Sequence, residues 1–140
     1  ISSMEDDSGN SDVLRLAAIA LANIGQQVET ARCISEHDGA RVFLRAMKQH
    51  KDNHDLLCKL TGALCELSRD GLAVNTILDE GVGAVVSSML DHPDSEGIHF
   101  NGMGILYALL KGSVGVSKVV EAGGLPLILS LMDKHADSKD

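Results

Sequence analysis

"EAGGLPLILSLMDKHAD", Glu121–Asp137, is the third statement of a phrase that the chain makes twice before. The same frame runs through "HDGARVFLRAMKQHKDN" (His37–Asn53) and "DEGVGAVVSSMLDHPDS" (Asp79–Ser95). The first glycines of the three stretches, Gly39, Gly81 and Gly123, are spaced 42 and 42 residues apart. Val42, Ala84 and Pro126 coincide within the frame, as do Phe43, Val85 and Leu127, then Leu44, Val86 and Ile128, and finally Met47, Met89 and Leu131. A fixed period of this length marks a repeat architecture, in which each unit covers an apolar face that its neighbour cannot bury alone. The opening "ISSM" restates the pattern of Val86–Met89 at a spacing of 85 residues, so the chain is expected to begin inside a repeat.

The stretches between the anchors read as long helices. "SDVLRLAAIALANIGQQ" from Ser11, "NHDLLCKLTGALCELSRD" from Asn53 and "SEGIHFNGMGILYALLKG" from Ser95 each start on a polar residue suited to an N-cap. Apolar residues then return every three or four positions, as Leu56, Leu57, Leu60, Leu64 and Leu67 do in the second. Shorter apolar segments, "VNTILDEG" and "VSKVVEAGG", lead into an anchor glycine. Glycine there fits the left-handed residue that ends a helix and turns the chain. A helix of medium length follows each glycine and stops near "DHPDS" or "DKHADS", where Pro93 and the Asp/Ser cluster mark a loop. Each period is thus one short, one medium and one long helix.

Composition agrees with helix-on-helix packing. Aromatic residues are only Phe43, Phe100 and Tyr107, and the apolar content is Leu, Ala, Val, Ile and Met. A net charge of −8 is the wrong sign for a nucleic-acid or anionic-membrane surface. No membrane span or signal peptide is legible in these residues. The three cysteines, Cys33, Cys58 and Cys65, are an odd number and point to a reducing compartment, cytoplasm or nucleus. Cys58 and Cys65 are seven residues apart, too far for a disulfide on one helix, and read as small buried hydrophobes.

"VVEAGGLPLILSLM", followed by a polar break, and "LRLAAIALANIG" before it resemble armadillo repeats, the units of importin-α and β-catenin. The resemblance spans Ile1 to about His135, and the glycine between the short and medium helices distinguishes it from the two-helix HEAT repeat. It implies an all-α, right-handed α-solenoid of about three 42-residue repeats, forming a single segment over residues 1–140 and cut within repeats at both ends. Such a solenoid lines a concave groove with its long helices. Cut after a medium helix, the last repeat is expected to leave Leu125, Leu127, Ile128, Leu131 and Met132 without a partner on one side. Self-association through this open C-terminal face follows as an expectation.

Signals for chemistry are weak. "GVGAVV" and "NGMGIL" each contain G-x-G, but Val86 stands where a dinucleotide fingerprint has its third small residue, and the preceding segments read as helical. His50 and His54 have a four-residue spacing usable by two metal ligands, yet an interhelix loop separates them and only Asp52 or Asp55 offers a third. No local signature brings a cysteine, a histidine and an acid together as a nucleophilic site. No cofactor, metal or enzymatic activity is expected.

Binding of protein partners remains. In peptide-carrying armadillo proteins the long helix presents a Trp and, four residues on, an Asn. Asn23 matches the Asn, but Ile19 stands at the Trp position; Glu66 with Gly62, and Ala108 with Gly104, depart at both. Capture of an extended nuclear-localisation peptide is therefore not expected. The groove would instead display Arg15, Asn23, Lys59, Glu66 and Asn101, with Lys59 and Asn101 one period apart. Gly62 and Gly104 share a repeat position, and a pair of costly helix-interior glycines implies close backbone approach. They serve either as a tight helix–helix contact or as the floor of the groove. Arg69 and Lys111 near the long-helix C-termini complement the helix dipole. The expected function is a scaffold or adaptor that holds a protein partner along the concave face. The alternative is an element of a larger cytoskeletal or ciliary array, joined through its repeat ends.

Overall fold

The computed structural model describes residues 11–24 and 28–136. Among the described residues there are nine α-helices and no strand. They are α1 (Ser11–Ile24), α2 (Val28–Glu36), α3 (Gly39–Gln49), α4 (His54–Leu67), α5 (Gly71–Glu80), α6 (Val82–Asp91), α7 (Glu96–Leu109), α8 (Ser113–Glu121) and α9 (Gly124–Lys134). A long helix followed by two shorter ones occurs three times: α1, α4 and α7 are each 14 residues long, the pairs α2/α3 and α8/α9 have 9 and 11 residues, and α5 and α6, expected to be short and medium, have 10 each. The opening "ISSM" lies outside the described residues.

Local chemistry sets the helix starts. Before α4 and α7, the extended Asn53 and Ser95 each accept a hydrogen bond from the third amide on, Leu56 N at 3.1 Å and Ile98 N at 3.2 Å. Before α5, the buried Asp70 accepts instead from the second amide on, Leu72 N at 3.0 Å.

The anchor glycines behave differently from expectation. Only Gly123 takes the left-handed conformation, with φ of 86°. In the first repeat Asp38, one position before Gly39, takes it instead (φ 60°), as a short polar side chain tolerates. Gly81 has φ −125°, open to any residue, and its role is steric: a Cβ there would sit 2.5 Å from Leu44 Cδ2.

Each helix packs against its counterpart one period further on. The long helices form the row α1–α4–α7, the short ones α2–α5–α8 and the medium ones α3–α6–α9. The core lies between the rows. Phe43, Val85 and Leu127, equivalent in the three frames, are all buried, and so are Leu44 with Val86 and Met47 with Met89. In the last repeat the equivalents Ile128 and Leu131 are only half-buried, while Leu125 is 50% and Met132 66% exposed. Leu127, expected to lack a partner on one side, is buried in the core. No single helix among the described residues is long and apolar enough to cross a membrane, and α8 and α9 meet at 85°.

Candidate partner-binding surface

The α1–α4–α7 row carries every residue that the sequence singles out for a groove. Arg15, half-buried on α1, lies 3.7 Å from Asp12 on its own helix and 3.9 Å from Asp55 on α4, and so links the first two members. Asn23 is exposed near the end of α1. Lys59 is exposed on α4 and has no ion pair among the described residues. Glu66, half-buried, holds Arg69 at 2.9 Å across one helical turn, and Arg69 Nε also donates to the Glu66 carbonyl.

Asn101 departs from the expected display. Its Nδ2 donates to the Cys58 carbonyl at 3.1 Å and to Thr61 Oγ1 at 3.3 Å, so the amide ties α7 to α4 and is not free for a partner. Its repeat equivalent Lys59 makes no such tie, because a long ammonium side chain gains more from water than from a half-buried carbonyl. The two glycines stand at the same seam. A Cβ on Gly62 would meet Asn101 Nδ2 at 3.4 Å, and one on Gly104 would meet Cys65 Sγ at 2.5 Å. Gly104 therefore lets α4 and α7 close on each other, while at Gly62 a methyl would make an ordinary contact. Cys58 and Cys65 are half-buried along this contact, and burial raises the Cys65 thiol pKa, with Glu66 adding to the shift.

A polar cluster missed by sequence reading sits where the third and fourth helices meet the sixth and seventh. His54 Nε2 and Ser95 Oγ share a hydrogen bond of 2.8 Å, His92 Nε2 lies 3.0 Å from the Lys51 carbonyl, and the His54 and His92 rings are 5.7 Å apart. Each bond joins residues 41 apart in sequence, so the cluster fastens one interhelix loop to the next. Lys134 repeats the device by donating to the Pro93 carbonyl at 3.0 Å. His50 and His54 fall on either side of the loop, and no group of three metal-ligating side chains occurs among the described residues.

A depression of about 1050 Å³ runs along α7 between that helix and the end of α9, with Cys65 of α4 at its edge. Phe100, Met103 and Tyr107 line it from α7, and Leu131 with His135 line it from the end of α9. Phe100 is 79% and Tyr107 69% exposed. Two of the three aromatic residues in the chain thus stand in solvent on one helix, while Phe43 alone is buried.

No protein-family model, curated protein or solved structure matches this chain.

Proposed function

We propose that the chain is an armadillo-like α-solenoid segment and a non-enzymatic scaffold that holds a protein partner along its long helices. One observation carries this reading: every helix among the described residues packs on its own counterpart one period away. A stack of that kind presents an extended surface and no enclosed pocket, the condition for binding by shape and a few side chains. Asn23 and Lys59, exposed on the first two long helices, are the side chains most open to a partner, while Arg15 and Glu66 line the same row in ion pairs with Asp12, Asp55 and Arg69. Asn101 is withdrawn from that set by its bonds to α4. The partner is a protein, and a net charge of −8 argues against nucleic acid and anionic membrane. The reducing cytoplasm or nucleus suits three free cysteines.

The test is cross-linked capture from native lysate with wild type and an Asn23→Arg/Lys59→Glu variant, both positions being exposed. A protein captured by wild type and lost from the equally stable variant supports the groove. Identical capture by both rejects it and favours the second reading, assembly through the repeat ends, which the exposed Leu125, Leu129 and Met132 of α9 support on their own.

A further inference from the structure

The side of α7 that no other described residue covers has an internal symmetry. Glu96, Phe100, Met103, Tyr107 and Lys111 recur at helical spacing along one stripe of the α7 stretch. Phe100 and Tyr107 lie equally far from the point between Met103 and Gly104, and so do Glu96 and Lys111. All four outer side chains are exposed, Glu96 lines the same depression as the two rings, and Lys111 Nζ lies 5.3 Å from the centre of the Tyr107 ring. A second α7 laid antiparallel on this stripe meets Tyr107 with Phe100, Phe100 with Tyr107, and Lys111 with Glu96.

We infer that this stripe is an isologous interface, and that its occupant is a second copy of the same chain, paired through α7 about a two-fold axis near Met103 and Gly104. The exposed rings and the opposite charges of the stripe are each related to themselves by the same two-fold operation, as an isologous contact requires. Antiparallel helix dipoles and two Glu96–Lys111 pairs favour the same register. Exposed aromatic residues are the side chains from which interface cores are built. Four rings, each burying about 150–250 Å² when covered, take the contact much of the way to the ~1,200 Å² at which specific interfaces begin. The half-buried Met103 and Leu131 adjoin them. The dimer is accordingly of the weak, exchanging kind. It is independent of whether Asn23 and Lys59 bind a partner.

Sedimentation velocity of the full chain from about 1 to about 200 µM, the range of weak protein pairs, tests it. Wild type is expected to move from 14.8 kDa toward twice that mass. Phe100→Asp, at a position 79% exposed and so harmless to the fold, is expected to remain a monomer throughout. Glu96→Lys and Lys111→Glu should each weaken the dimer by roughly 3–10-fold, and the two combined should restore it, since the swap recreates the pair. A wild type that stays monomeric at every concentration overturns the inference and leaves the stripe to a different occupant. Dimerisation that survives Phe100→Asp, or a charge swap that fails to rescue, overturns it equally, because either places the contact elsewhere.

Discussion

The α4–α7 contact can be tested at one atom. Gly104 carries no Cβ, and one built there falls 2.5 Å from Cys65 Sγ but 4.0 Å from Cys65 Cβ. Gly104→Ala therefore acts through two opposed effects. Alanine gains about 1 kcal/mol over glycine in a helix interior. Forcing a methyl into a packed seam typically costs 1–3 kcal/mol, so about 0–2 kcal/mol of net destabilisation is expected. Cys65→Ala removes the sulfur and leaves only the ordinary contact at Cβ. In that background Gly104→Ala should show its helix gain alone and stabilise by roughly 0.5–1 kcal/mol. The cycle thus predicts a coupling of at least ~1 kcal/mol between residues 39 apart in sequence, read from urea midpoints by circular dichroism at constant slope. Additivity within ~0.5 kcal/mol would refute the close approach of the two helices at this point, and with it the role given to Gly104.

Two further outcomes rest on single contacts. Asp70→Ala removes the buried cap of α5 and should cost about 1 kcal/mol of stability in the same urea assay, whereas Asp70→Asn, which can still accept from Leu72 N, should lose less than half of that. The second concerns acid. Glu80 is held below the usual carboxylate range first by the hydrogen bond from Arg41, whose Nε lies 2.7 Å away, so its stabilising share is complete above the ordinary glutamate pKa and is lost as pH falls through the lowered value. The melting-temperature difference between wild type and Arg41→Gln should therefore be largest near neutrality and shrink below about pH 4.

How far the sequence reaches depends on how far apart the deciding groups are. Asn53 and Ser95 act on amides three residues away, and the Leu56–Leu67 spacing describes one helix about its own axis, so both were legible as elements. The conformation of the anchor glycines was not. Gly81 is required by the side chain of Leu44, a residue 37 positions earlier, while the left-handed turn that a lone glycine suggests is made by Asp38 in the first repeat. Asn101 failed as a free groove residue for the same reason. Helical spacing gives the direction of a side chain relative to its own helix, and it does not say that the Cys58 carbonyl of another helix waits there at 3.1 Å.

Repetition with unequal side chains is what separates the two surfaces proposed here. On α4, the face turned to the next long helix carries Cys58, Thr61 and Cys65, small enough for α7 to close on it through Gly97, Asn101 and Gly104. One period on, the same positions of α7 are Phe100, Met103 and Tyr107. A helix seated there as α7 sits on α4 would meet two aromatic rings where two thiols stood, and could not approach as closely. The α7 face therefore suits a partner that fits side chain to side chain, which an antiparallel copy with its staggered Phe100 and Tyr107 does. Asn23 and Lys59 lie on the two other long helices, so substitutions at one surface leave the other intact and the two proposals stand or fall separately.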